Sequence, residues 1–492
     1  VEAHVGIPGL EQAELQTRTL LPSGPQLAQL TQLMDRSATA YMQAATISED
    51  VIVGLEREAE AMRAGPGIVA FVALARGGFE RARGQRAAAI TAYEHAYYGA
   101  AATGDSETVL NAAIQLVDLL GIEGGDASRA IPYLRQLHAI AILRPDLAPI
   151  AYQVIGVTAT ARGDLPGAIA YLTRAKQLAE DADGSGTLAY AQTLFSLAIA
   201  YELAGRARDA VPLIERAIAV RAAVLGVDAP ELAADHYNLG LLLISVGEID
   251  RATREVEHAA AIDARWPERR PPIERATGLL DHGAVLAAGA RYDEAVELET
   301  QALLGFAAAE GEDSLDVALA LSTLASAHIG QGDYRRAAAA IGEALAIYER
   351  RHPDSLDVAS ALAVSGKIQV DLGRCDRARP MLRRALRLFR TGEPTGVRWT
   401  AAISGLAGCA LEAGRPTEML PELAEADHAL HAFPLEPFGA DVLFAYARCL
   451  GAAQRDPALA RARALEARAV YAGLGELGRA RLAAVDRWLA HR

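Results

Sequence analysis

The chain has 492 residues, 51% of them apolar but only 5% aromatic, and its formal net charge is −14. It is too long for one core, and its Ala-rich, aromatic-poor make-up suits closely packed helices better than sheets. The acidic balance without a basic block argues against a nucleic-acid partner, and no run of about 18 apolar residues offers a membrane span.

In chain order, residues 1–25 hold Gly6, Pro8, Gly9, Pro22, Gly24 and Pro25 and read as a linker. The start at Val1 rather than Met predicts that further chain precedes it. Over residues 26–66, Leu27, Leu30, Leu33, Tyr41, Val51 and Leu55 recur at helical spacing and predict two helices that form a cap. Residues 67–475 then repeat. A glycine or its substitute is followed five residues later by a small residue in Gly84/Ala89, Gly125/Ala130, Gly163/Ala168, Gly205/Ala210, Gly247/Ala252, Ala290/Ala295, Gly332/Ala337 and Gly373/Ala378. Gly414/Met419 and Arg455/Ala460 continue the series, and successive anchors lie 38 to 43 residues apart. Residues 476–492, with Leu482, Val485, Trp488 and Leu489, predict a closing helix.

Two further rows keep time with the anchor. Seven residues after the small residue comes another, as in Ala96, Ala175, Ala217, Ala259 and Ala302. Seven residues before the anchor stand Gly77, Gly156, Ala198, Gly240, Gly283, Ala325, Gly366 and Ala407, with Asp118 and Arg448 as exceptions. Seven residues are two helical turns, so each row marks one helix face. The anchor ends a first helix and the small residues let a second helix approach it closely. Each unit is therefore a helical hairpin with one wet apolar face, and hairpins must stack to bury it. The predicted fold is all-α: a right-handed superhelical solenoid of about ten antiparallel helix pairs.

The pattern Gly332-Asp333-Tyr334-x-x-Ala337, with its flanking small residues, resembles the tetratricopeptide repeat. The step of about 42 residues resembles the long-helix variant of kinesin light chains, against the usual 34. Loops such as Leu225 to Pro230 and His352-Pro353-Asp354 are similar to that variant's linkers. The variant's Asn, two residues before the small position, is matched only by Asn238; Ser196, Asp281, Thr323, Val364 and Gly405 stand there in other repeats. A kinesin-type cargo role is therefore not carried over. The arrangement and the ending Arg479 to Leu489 are also similar to the C-terminal regions of large bacterial serine/threonine protein kinases. That likeness implies a regulatory or sensory region whose catalytic domain lies outside this chain.

The tetratricopeptide resemblance implies a protein-interaction scaffold whose first helices line a concave face. Residues thirteen, ten and six before each turn residue would face inward. They include Gln192, Phe195 and Ile199; Tyr237 and Leu241, with Asn238 beside them; Leu319, Ser322 and Ser326; Lys367; and Ser404. On this reading Phe195 and Tyr237 anchor partner side chains, and the Ser/Ala/Gly stretch lets a peptide backbone approach. Small residues there also follow simply from an Ala-rich composition. The implied partner is a protein or peptide, with no cofactor and no assigned oligomeric state.

Catalytic chemistry finds little support. The only lysines are Lys176 and Lys367, and neither follows a strand or glycine-rich loop. No Asp-Phe-Gly, His-Arg-Asp or Walker motif occurs, so phosphoryl transfer is not expected of this chain. His428 and His431 share a helix face near Asp427 but lack a further ligand in sequence. Dense charge between Arg377 and Arg387 reads as a solvated face with i,i+4 pairs. Cys375, Cys409 and Cys449 are 34 and 40 residues apart, without a Cys-x-x-Cys. They read as reduced, buried thiols of a cytoplasmic protein.

Overall fold

In a computed structural model of the chain, residues 24–122, 127–182, 184–392, 399–431, 437–473 and 478–491 are described. The expected linker at 1–25 lies outside them, save for Gly24 and Pro25, which begin the first helix. So does the Gly125 anchor. Among the described residues there are 23 α-helices and no strand. They fall into two compact units, 1–204 and 205–492.

The first unit opens with α1 (Gly24–Met42) and α2 (Glu49–Ala61). Helical pairs follow: α3 (Pro66–Ala82) with α4 (Arg86–Ala101), α5 (Ser106–Val117) with α6 (Ala127–Leu143), and α7 (Ala148–Ala161) with α8 (Leu165–Asp181). α9 (Leu188–Leu203) is its last helix. The second unit begins with α10 (Ala207–Leu225). Its pairs are α11 (Leu232–Ser245) with α12 (Ile249–Arg265), α13 (Pro272–Ala288) with α14 (Tyr292–Glu310), and α15 (Leu315–Gln331) with α16 (Tyr334–Arg351). Then come α17 (Leu356–Asp371) with α18 (Cys375–Gly392), α19 (Trp399–Glu412) with α20 (Leu420–Leu430), α21 (Pro437–Ala452) with α22 (Pro457–Gly473), and the closing α23 (Arg479–Ala490).

The turn inside each pair needs one residue in the left-handed region, where only glycine avoids a Cβ clash. Gly84, Gly163, Gly247, Gly332, Gly373 and Gly414 hold φ between 68° and 84°, and Gly205, which opens the second unit, holds φ 71°. Ala290 takes the same conformation at φ 60°, so it is the turn residue of its repeat, not Gly289. In the last pair Gln454 (φ 52°) and Asp456 (φ 33°) are left-handed and flank the expected anchor Arg455, with Gln454 ending the first helix. The sequence there has no glycine to mark the turn.

The small row explains how tightly the pairs close. The ninth residue after each turn residue points at the small residue of the first helix. A Cβ added to Gly77 would stand 2.5 Å from the Tyr93 ring; at Gly156 it would stand 2.5 Å from Leu172, and at Gly240 2.5 Å from Val256. At Gly366 the distance to Leu382 would be 2.6 Å. Real carbon contacts begin near 3.5 Å, so a side chain at these glycines would push the helices apart. α5 is an exception in this row. Asp118 stands at the small position, opens a π-helical turn (Asp118–Ile122) and accepts a bond from Arg81.

Pairs stack through both layers. In the second unit the first helices touch directly, α11 on α13, α13 on α15, α17 on α19 and α19 on α21. Each second helix also packs on the first helix of the next pair. Buried alanines such as Ala252, Ala259, Ala295, Ala302, Ala337 and Ala344 fill these contacts. First helices are started by side-chain caps: Ser314 accepts from Val317 N–H at 3.1 Å, and Ser355 from Val358 N–H at 3.2 Å.

Two expectations are overturned. Cys375 and Cys409 are not reduced thiols: they form a disulfide, with Cα atoms 5.4 Å apart. They are 34 residues apart in sequence, but stacking brings the start of α18 beside the end of α19. Only Cys449 is a free, buried thiol, its pKa pushed up to about 11 by burial. The support for a cytoplasmic setting from two of the three cysteines is thereby removed. The dense charge on α18 also pairs differently from expectation. Arg384 reaches Glu349 on α16, and Arg383 and Arg390 reach Glu422 and Glu425 on α20, so the bonds run between pairs rather than along the helix.

Two residues depart from the ninth-position row, Arg463 in the last pair and Glu299. Glu299 stands where Leu, Ile, Val or Tyr stands in the remaining pairs, its Cγ over Gly283. It is 1% exposed, and its Oε2 has no hydrogen-bond partner. Burial pushes its pKa up to about 8, so the fold holds it as the neutral acid at pH 7.

Two outcomes test this account. Ala252→Leu and Ala337→Leu should each lower stability by about 1–3 kcal/mol through overpacking, read as a fall in the denaturation midpoint; unchanged midpoints in both would refute the register. For Glu299 the folded pKa is raised, so its contribution is complete below the unfolded value of about 4.3 and is lost as pH rises toward 8. Glu299→Leu should raise stability at pH 7 by about 1–3 kcal/mol. The gap between variant and parent should widen from pH 4 to pH 8, and parallel stability profiles would contradict the assignment.

Candidate partner-binding face

The exposed side of the first helices is the surface that the stacking leaves open. In the first unit it is represented on α9. Gln192 and Ile199 are exposed two turns apart, and Phe195 is half-buried between them. Leu203 at the end of the helix is 59% exposed.

In the second unit the same register gives a mixed result. Tyr237 is not on the surface. It is 3% exposed, its ring would lie 2.7 Å from a Cβ at Gly278 on α13, and its hydroxyl donates to Asp263 Oδ2 at 3.2 Å. Asp263 in turn receives Arg270 Nη1 at 2.7 Å. Burial beside the Asp263 charge raises the Tyr237 pKa above its ordinary value. The ring therefore belongs to the contact between neighbouring pairs, and its assignment as a partner anchor is corrected.

Asn238 is exposed, but its amide donates to the Ala234 carbonyl at 2.8 Å on its own helix. Leu241 is half-buried. Ser322 and Ser326 donate to the carbonyls of Ala318 (2.8 Å) and Ser322 (3.2 Å). Their hydroxyl protons are thus engaged within the helix; Ser322 also meets the buried Tyr348 of α16, and it is the exposed Ser326 that offers oxygen lone pairs outward. Lys367 is exposed and bonds Asp371 at 2.6 Å. Ser404 is half-buried on α19. Leu319 on α15 is 46% exposed, more so than the half-buried Leu241.

Asp281 occupies on α13 the place of Asn238 on α11. Burial pushes its pKa up to about 6, opposed by the Arg270 charge. The register of Asn238 was the signal that marked it. Neighbouring His282 has its pKa lowered by burial. His431 and His428 lie on α20 and its end; His431 Nδ1 stands 2.6 Å from the Asp427 carbonyl and Nε2 3.4 Å from Glu466. Among the described residues no group of three His, Cys, Asp or Glu is placed to hold a metal ion, and no helix is long and apolar enough to cross a membrane.

Stacked helical hairpins with an open first-helix layer define a repeat protein of the interaction-scaffold class. A tetratricopeptide repeat family model matches residues 146–223 and 274–350, so the chain carries tetratricopeptide repeats. Three solved structures are similar. BtubC (BKLC) from P. vanneervenii has 24% identity and a TM-score of 0.38, covering 46% of this chain and 91% of its own. A kinesin light chain protein of Podosopora anserina with nearly identical TPR-like repeats has 20% identity and a TM-score of 0.36, covering 42% and 97%. The apo quorum sensor NprR from B. thuringiensis has 13% identity and a TM-score of 0.47, covering 73% and 95%. No curated protein matches the sequence.

The correction at Tyr237 is testable. Tyr237→Ala should cost about 3 kcal/mol of stability, as loss of a buried ring does elsewhere. A variant with the parent's unfolding midpoint would return the residue to the open face.

Proposed function

We propose that the second unit binds an extended segment of a partner protein along its first-helix layer, over α11, α15, α17 and α19. The observation that carries this is the exposed Leu319, set among small or lightly polar neighbours at the same register. Ser326 stands beside it on α15, and Ala363 is half-buried on α17. The committed charges at these positions are Lys367 and Asp371, and they neutralise each other. Such a strip favours an apolar side chain over Leu319. The Ser326 oxygen accepts from a peptide N–H group, and the small residues let a backbone lie close. The partner is then recognised by shape and apolar spacing, with little salt dependence. On α9 of the first unit, Phe195 and Ile199 offer a separate apolar strip for the same kind of ligand.

The test begins with capture of partners by the whole chain, identified by mass spectrometry. Leu319→Asp should then weaken binding of the captured partner about tenfold or more, with the thermal melt unchanged. Leu304→Asp, at an exposed site on the second-helix layer (65% exposed), should leave binding as it was. If the Leu319 variant stays folded and binds like the parent, recognition lies elsewhere. Phe195→Ala examines the first unit in the same way.

A further inference from the structure

At the end of the last pair, a cleft of about 520 Å³ opens between the α21–α22 turn and the closing helix α23. Its walls are apolar: Leu450, Pro457, Trp488 and Leu489. The Trp488 ring is fixed edge-on against Phe444, with centroids 6.2 Å apart and planes at 88°. Arg455 and Arg461 stand at its edge.

Several arginines of the second-helix layer are tied to a carboxylate on the neighbouring pair: Arg291 to Glu257 at 3.1 Å, Arg390 to Glu425 at 2.6 Å, Arg463 to Asp427 at 2.5 Å. The side chains of Arg455 and Arg461 form no hydrogen bond or ion pair with any described residue. The acid next to them, Asp456, is turned away to the start of α22, where its Oδ1 accepts from Leu459 N–H at 2.9 Å. An apolar wall and two unpaired planar cations thus share one open cleft, in a chain whose net charge is −14.

We propose that this cleft binds an organic carboxylate with an aromatic or aliphatic body. The volume lies within the range of small-molecule sites. The body would lie against Trp488 and Leu489, and the carboxylate would meet the forks of Arg455 and Arg461, which match its two oxygens. The site is separate from the first-helix strip, so it stands or falls independently of the partner reading.

Calorimetric titration of the whole chain with 2-naphthoate tests it. The expected result is one saturable site with a Kd of about 10–100 µM, and at least tenfold weaker binding of the uncharged 2-naphthamide. Arg455→Gln with Arg461→Gln should weaken naphthoate about tenfold or more without moving the thermal melt, since neither side chain holds the fold together. Ala458→Trp, which fills the cleft, should abolish binding, and Leu319→Asp should leave it unchanged. The proposal is overturned by no saturable heat up to 1 mM naphthoate, by equal affinity for the amide, or by parent-like binding in the double variant. Loss of the site as protein concentration rises, with dimers in sedimentation, would overturn it too by giving the cleft to a second copy of the chain.

Discussion

A close contact recurs between the two helices of one pair, where a side chain from the second helix rests on bare backbone of the first. With only about 2.5 Å to where a Cβ would sit, Gly77, Gly156 and Gly240 leave no room for one. That approach fixes the depth at which each hairpin closes. The depth in turn decides which alanines become buried, and the alanines set how the next pair seats. A left-handed turn residue is needed because a hairpin this tight allows no wider loop. Helix propensity adds little, since an Ala-rich chain is helical in almost any register; the packing row selects one.

Electrostatics follow that register rather than lead it. Arginines on the second helices reach acids one repeat away, as in Arg251 to Glu215 and Arg350 to Asp313. Exposed pairs of this kind contribute well under 1 kcal/mol each. Their planar forks nevertheless favour a single seating of one pair on the next, which suits a chain that uses Arg almost to the exclusion of Lys. Asp235 with Arg221 and Asp427 with Arg463 place the same chemistry deeper. There the cost of desolvation is high, and specificity of seating is the gain.

Much of this was legible in the sequence because glycine and alanine carry it. The period, the turn positions and the paired helices follow from residues whose smallness is itself the function. What escaped had no such marker. The turn at Gln454 lacks a glycine, so its position slipped by one. Tyr237 sits at a register shared by the open face and the contact between pairs, and only the placement of Gly278 on α13 shows which side the ring takes. Glu299 lies outside the glycine and alanine rows, and a single Glu on a helix carries no sequence mark that sets it apart from a solvated one. Cys375 and Cys409 looked unrelated at 34 residues because their meeting depends on stacking, not on spacing along a helix. The open face was legible only as a register; which of its residues stand free depended on bonds such as Ser322 to Ala318 that no periodicity reveals.

The Cys375–Cys409 bond joins the beginning of one second helix to the end of the next first helix, and so crosses a junction between pairs. In a stack held by non-covalent contacts, a pull on the two ends would peel the pairs away one at a time. Here the peeling front meets a crosslink at the α18–α19 junction. The helices on either side would have to be drawn out with their shared link intact, so the array has a built-in stop partway along its length, and extension by force would proceed in unequal steps.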